Sequence, residues 1–363
     1  MNIAINEILL SAALCLVIIV VLTPVAIRLG LEDKPCQRKI HDGHIPLIGG
    51  IAIYLAIAVL LVVLPEPRVN RETLSFLAAG GLLVATGVID DRFQLNVRLR
   101  MFVEAVAASI MIFGADLWIS NLGNLLGFGE VYMPFWIAYP FSLIAVFGII
   151  NAFNMIDGMD GLAGGVALVA IATLLAFAHI SPVVSSLAPL VLGGLAAFLV
   201  CNLQILPFMP KIFLGDAGSK LVGLTLVWFL ISIAHGGGQN QGGIMPVTAL
   251  YIVGLPLFDM VATTIRRGRR RISPFQPDRT HIHHILQGIG FSKRATIVSV
   301  LGLALSINLL GVVFSLTQLP EAIQFVAFFA LYFIYSRITG RLLQIGEHDS
   351  ARALQGEIRT SLK

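Results

Sequence analysis

The chain has 363 residues, 57% of them hydrophobic and only 12% charged, with a mean hydropathy of +0.90. A soluble globular chain carries about twice that charged fraction, so the composition excludes an ordinary soluble domain and reads as an all-α polytopic membrane protein. The net charge of +4, from 24 Lys and Arg against 20 Asp and Glu, is better explained by charge placement around a bilayer than by nucleic acid, and no nucleic-acid partner is expected.

A helix needs about 20 apolar residues to cross a hydrocarbon layer of about 30 Å. Such runs lie near 6–29, 47–64, 73–89, 99–114, 134–150, 162–178, 184–203, 220–234, 244–265, 296–316 and 321–338, which predicts about eleven transmembrane helices. The first run has no basic residues before it and extends to Leu29. It therefore reads as a membrane helix rather than a cleaved signal. Cys15, Cys36 and Cys201 are scattered, so neither a disulfide framework nor a thiolate metal site is indicated.

Alternating sides along these runs gives two sets of loops, and of the 24 Lys and Arg only Arg68 and Arg71 fall in the second; the first set is the basic one. The positive-inside rule makes that set cytoplasmic, with the N-terminus periplasmic and the C-terminus cytoplasmic. Residues 1–340 then form one transmembrane domain and 341–363 a short cytoplasmic tail. All the aspartates but Asp116 fall on or near the same face. Acidic residues contribute little to orientation, so this points to a cytoplasmic site that uses short carboxylates.

Four constellations carry the chemistry. Asp90-Asp91-Arg92 ends the third run; adjacent carboxylates are costly at a membrane boundary unless a cation offsets them. A solvated helix end is the plain alternative. Arg100 and Glu104 follow at the spacing of one helical turn, which predicts that they pair. Next comes Asn151-Ala-Phe-Asn154-Met-Ile-Asp157-Gly158-Met-Asp160-Gly161, whose glycines suit a loop folded over a ligand. Asp157 and Asp160 would share a face if that segment stays helical. Phe213-Leu-Gly215-Asp216-Ala-Gly218-Ser219 enters a helix and offers backbone N–H groups and a carboxylate. Phe213 suits base stacking or ordinary packing.

The fourth constellation is Arg266, Arg267, Arg269, Arg270 and Arg271, followed by Asp278-Arg279-Thr280-His281-Ile282-His283-His284. The arginines read first as a membrane-surface anchor. The histidines raise a zinc site, but a set without thiolates and rich in aspartate suits a hard, oxygen-loving ion better. Asp259, inside the ninth run, is an intramembrane carboxylate and so a functional candidate.

In these motifs, together with Asp33-Lys34-Pro35, Arg38-Lys39 and Ile45-Pro46-x-x-Gly49-Gly50, the chain resembles the polyprenyl-phosphate N-acetylhexosamine-1-phosphate transferases over most of its length. The resemblance implies a Mg²⁺-dependent enzyme (Mn²⁺ as the substitute) of the bacterial inner membrane, with a cytoplasmic site and a homodimer admitted. Its expected reaction moves N-acetylglucosamine-1-phosphate, or another N-acetylhexosamine phosphate, from the UDP-sugar to undecaprenyl phosphate. UMP is released and O-antigen or enterobacterial common antigen type glycans are begun. It implies that Asp216 and Asn154 hold the metal, that Phe213 stacks on uracil with Asp160 at its polar edge, and that Asp90 and Asp91 face the lipid phosphate. It further implies that His281, His283, His284 and Arg279 meet phosphates and sugar. A position often Lys in the family is here Arg100, whose phosphate role is expected to persist.

A direct attack by the lipid phosphate is the expected route, with Asp90 taking the residual proton or positioning that phosphate. The alternative is double displacement through Asp91 or Asp157. A secondary transporter is the rival class, but the aspartates fall at helix ends rather than mid-membrane. Asp90, Asp91, Asp157, Asp160 and Asp216 are expected to converge.

Overall fold

The computed structural model describes residues 5–33, 44–64, 68–178, 181–236, 245–273, 276 and 278–361. Lys34, Pro35, Cys36, Arg38 and Lys39 lie outside them. Helices occupy all eleven apolar runs. They are α1 (Ile5–Leu29), α2 (Gly49–Val63), α3 (Arg71–Phe93), α4 (Val97–Ser109, continuing as a π-helical turn Ile110–Gly114), α5 (Phe135–Ile156), α6 (Leu162–Phe177), α7 (Pro182–Asn202), α8 (Gly215–Gly236), the pair α9 (Pro246–Ile252) and α10 (Gly254–Arg269), α12 (Lys293–Leu316) and α13 (Glu321–Ser361). The short α11 (Ile282–Gly288) is added between α10 and α12.

Among the described residues, seven helices are long and apolar enough to cross a membrane alone, and α9 with α10 makes an eighth if the bent pair is one span. The chain is therefore a multi-pass membrane protein. α2 and α6 are apolar but only 15 and 16 residues long, and α4 carries Arg98, Arg100 and Glu104 in its 13 residues.

The ninth run was read as one span, but it bends by 72° between α9 and α10. The cause is local. Pro256, in the first turn of α10, has no N–H to give Ile252, and its ring crowds the preceding turn. α13, by contrast, runs unbroken through position 340.

α8 lies at the centre and is buried along nearly its whole length. Its Trp228 packs edge-on against Phe76 of α3, with ring centroids 5.4 Å apart. Two glycines let backbones close around its first turns, the kind of small-residue contact that drives helix association where no hydrophobic effect separates helix from lipid. A Cβ on Gly87 would stand 2.3 Å from Cα of Ala217, and one on Gly50 would stand 2.2 Å from the Gly218 nitrogen.

β1 (Glu32–Asp33) and β2 (Ile45–Pro46) form a two-residue antiparallel pair. From there the chain runs beside the approach to α8. Phe213 N–H donates to the Pro46 carbonyl at 2.9 Å, and the Phe213 and Leu214 carbonyls accept from Gly49 and Gly50 at 3.0 and 3.1 Å. The Ile-Pro-x-x-Gly-Gly motif thus fixes the strand that holds Phe213.

The opposite end of the bundle is closed by ion pairs. Arg68 clasps both carboxylate oxygens of Glu7 at 2.8 and 2.5 Å. Arg71 pairs with Asp116 at 2.9 Å.

Candidate active site

The C-terminal end of α3 meets the first turn of α8. Asp91 accepts the backbone N–H of Asp216 on both oxygens, at 3.0 and 3.1 Å. Gly215 makes this possible: its φ is +70°, and a Cβ there would lie 2.6 Å from Asp91 Oδ2. The Gly-Asp-x-Gly-Ser segment is accordingly the opening turn of α8 rather than a free loop.

Asp90, only 5% exposed, is fully engaged. Its Oδ1 accepts from Leu95 N–H at 2.8 Å, while its Oδ2 accepts from Lys220 Nζ at 3.1 Å and Arg100 Nη1 at 3.3 Å. Arg100 therefore pairs with Asp90 and not with Glu104, correcting the helical-turn expectation. Glu104 instead accepts from the Asn151 amide at 2.8 Å. A carboxylate from α3 and an amide from α5 thus outcompete the pair along α4.

α5 ends at Ile156 and Asp157 leaves the helix with φ −76° and ψ 53°. The helical face expected to join Asp157 and Asp160 does not form; a tight turn carries both. Burial, and then the negative charges of Asp216, Asp91 and Asp160, push the Asp157 carboxyl up to about 8. Asp160 turns the other way and pairs with Lys211 at 2.8 Å. Lys211 Nζ also lies 5.8 Å from the centroid of the half-buried Phe213 ring. Asn202 ties these parts together, accepting from Gly161 N–H at 2.5 Å and donating to the Ile212 carbonyl at 2.8 Å.

The histidines sit on α11 and its N-cap. His281 Nδ1 donates to Asp259 Oδ2 at 2.7 Å, and its Nε2 accepts from Arg267 at 3.2 Å. Asp259 Oδ1 accepts from Ile282 N–H and the Tyr335 hydroxyl, both at 2.9 Å. Asp259 is thus the anchor of this segment rather than a group open to a ligand. Arg267 also pairs with Asp278 at 3.0 Å, and Arg266 donates to the Thr280 carbonyl at 2.7 Å, so two of the five arginines build the loop instead of only facing lipid.

His283 is buried with neither ring nitrogen hydrogen-bonded among the described residues, and burial followed by the charge of His284 pulls its pKa down to about 3. Its Nε2 lies against Gly158, where a Cβ would approach to 2.3 Å. The His284 ring is 4.2 Å from that of His283. Arg279 is exposed and forms no ion pair among the described residues.

Asp90, Asp91, Asp157 and Asp216 are thereby brought together, with His283 against the Asp157 turn, while Asp160 joins Lys211 and Phe213 beside them. Sequence reading passed over Lys220, Lys211, Asn202 and Tyr335. Lys220 had a signal: a cation one turn after Asp216, opening an apolar run, is costly unless paired. Asn202, at the end of an apolar helix, had none.

Among the described residues no three His, Cys, Asp or Glu side chains form a closed metal site. The groups present nonetheless fit a hard cation. Asn154 donates through Nδ2 to Asp216 Oδ1 at 2.9 Å and to Ser219 Oγ at 3.0 Å. The amide nitrogen is the atom that faces the carboxylate, and the amide oxygen makes no hydrogen bond among the described residues. Mg²⁺ is commonly held by one or two such oxygens, with substrate phosphates completing the shell.

The model of glycosyl transferase family 4 matches residues 73–234. The chain is 39% identical over 321 residues to undecaprenyl-phosphate alpha-N-acetylglucosaminyl 1-phosphate transferase of Escherichia coli (strain K12), covering 86% of this chain and 84% of that one. It is 36% identical to the proteins of the same name from Yersinia pestis, covering 86% and 84%, and from Haemophilus influenzae, covering 87% and 88%.

Proposed function

The chain belongs to glycosyl transferase family 4, and from that premise we propose that it transfers N-acetylglucosamine-1-phosphate from UDP-N-acetylglucosamine to undecaprenyl phosphate. UMP leaves, and the lipid-linked sugar begins an O-antigen or enterobacterial common antigen type glycan at the cytoplasmic face of the inner membrane. The observation that carries this reading is the convergence of Asp90, Asp91, Asp157 and Asp216 beside the Phe213–Lys211–Asp160 group. One part suits a phosphoryl-transfer centre, the other a nucleobase.

Both substrates are anions, so charge repulsion is the first barrier. Mg²⁺, held by Asp216 and the Asn154 amide oxygen, would supply neutralisation of the donor pyrophosphate. Arg100, half-exposed on Asp90, offers a guanidinium to the lipid phosphate. Phe213 receives the uracil face, and Asp160 and Lys211 its polar edge. The α11 segment, with His281 held by Asp259 and Arg267, closes over sugar and phosphates.

A lipid phosphate is mostly dianionic at neutral pH, its second pKa being about 6, and attacks without a strong base. Two features support that direct route. Burial and the neighbouring carboxylates push the Asp157 carboxyl up to about 8, well above the ordinary carboxylate range, and both oxygens of Asp91 are taken by Asp216 N–H. Neither is poised as a nucleophile. Asp90, whose oxygens are also engaged, serves to place Arg100. A cavity of about 1290 Å³ between α5, α8, the α9–α10 bend and α13 is lined by Gly148, Leu230, Val253 and Phe328 and, toward the end of the bundle away from the carboxylates, by Asn121 and Gln318; none of the clustered aspartates lines it.

The test is to incubate membranes containing the protein with radiolabelled UDP-N-acetylglucosamine, undecaprenyl phosphate and Mg²⁺. A butanol-extractable labelled lipid with stoichiometric UMP is expected. Label taken into vesicles without lipid labelling would overturn the enzyme reading in favour of transport. A UDP-N-acetylgalactosamine arm decides the sugar.

A further inference from the structure

Lys220 is a cation inside the cluster that the proposed mechanism does not use. It stands one turn beyond Asp216 on α8 and is 3% exposed. Its ammonium lies 3.1 Å from Asp90 Oδ2 and 3.7 Å from Asp216 Oδ2, so a single positive charge joins a carboxylate of α3 to one of α8. A buried charge of this kind persists only when paired, and here it is paired twice. The two oxygens it touches are those through which a bridging divalent ion would link the same carboxylates, as in two-metal phosphoryl-transfer sites. The remaining Asp216 oxygen, Oδ1, faces Asn154.

We propose that Lys220 is a built-in counter-cation that occupies the second ion position between Asp90 and Asp216, so that the carboxylate cluster assembles without metal and accepts one divalent ion only. This rests on the reading of Asp216 and Asn154 as the cation site. Lys220 is a positioning residue: it fixes Asp90 against α8 and limits the ion count, and touches no substrate.

Mn²⁺ is the probe. Binding to the purified full-length protein in detergent is followed by the loss of the free-ion paramagnetic resonance signal, and melting is recorded in EDTA and in Mn²⁺. The wild-type protein is expected to bind one ion and to melt higher in Mn²⁺ than in EDTA only by what that single ion contributes. Lys220→Met is expected to bind a second ion, or the first on the order of tenfold more tightly because a repelling charge is gone. It should melt lower in EDTA and recover in Mn²⁺. Lys220→Arg, which keeps the charge, should behave as wild type.

The inference is overturned if Lys220→Met keeps wild-type ion binding and loses the same melting temperature with and without Mn²⁺. It is overturned equally if the wild-type protein binds two ions, a result that needs no variant to fold. Wild-type protein that binds no ion defeats the metal-site reading instead. Lys220 is then judged by the EDTA melting of Met against Arg, where equal losses overturn its role.

Discussion

The N–H of Asp216 is held by both carboxylate oxygens of Asp91, at 3.0 and 3.1 Å, across 125 positions of sequence. The first turn of α8 is therefore capped by another helix. Asp91→Asn keeps an acceptor and should melt close to wild type, whereas Asp91→Ala leaves the donor unpaired and should cost about 1–3 kcal/mol. Denaturation in detergent measures both. Near-wild-type stability of the Ala variant would show that the contact does not hold the fold.

Asp157 predicts a pH slope. Its carboxyl is raised from 3.8 to about 8, by burial first and then by the neighbouring carboxylates. Between those values the folded protein holds a proton that the unfolded chain has lost. The stabilisation is complete below about pH 4, erodes as pH rises to about 8, and is level above. Asp157→Asn should remove this part of the slope in melting curves recorded in EDTA. An unchanged slope would place the titration elsewhere.

Phe213 and Lys211 form one unit with Asp160, so their substitutions should act on donor binding. Phe213→Ala is expected to raise KM for the UDP-sugar by the worth of a base stack, about 1–3 kcal/mol, with a smaller change in kcat. Lys211→Ala should raise the same KM, and the double variant should fall short of the sum. A change confined to kcat would remove Phe213 from the nucleobase site.

Asp259 acts through His281, whose ring it holds with Nδ1 as donor. Asp259→Asn should lower kcat by about tenfold, the worth of one hydrogen bond to a charged group, while adding little to the defect of His281→Ala. Tyr335→Phe removes one of three hydrogen bonds on that carboxylate and should be milder. Full additivity of Asp259→Asn and His281→Ala, read from steady-state kinetics, would separate the two residues.

The helices were legible because lipid imposes long apolar runs, and the carboxylates because Asp is costly at a membrane boundary. What escaped depends on partners far along the chain. The break at Val253 needed Pro256 to be weighed against an otherwise continuous apolar run. Arg100 was assigned to Glu104 because spacing along one helix is visible, whereas the approach of Asp90 requires α3 and α4 to be folded together. Asp259 read only as a functional candidate, and its anchoring role was hidden for the same reason: Tyr335 lies 76 positions away. Lys220 was concealed by its position at the edge of a hydrophobic run, where it resembled a boundary residue.

The two ion pairs at the far end of the bundle bear on charge as well as on packing. Arg68 and Arg71 are the positive residues that the loop count assigns to that side, and the folded chain neutralises them with Glu7 and Asp116. The difference in charge between the two ends is thus steeper in the folded protein than a tally of basic residues implies. A single clasp from Glu7 to Arg68 both fastens α1 to the bundle and keeps a largely buried guanidinium from standing as a lone charge.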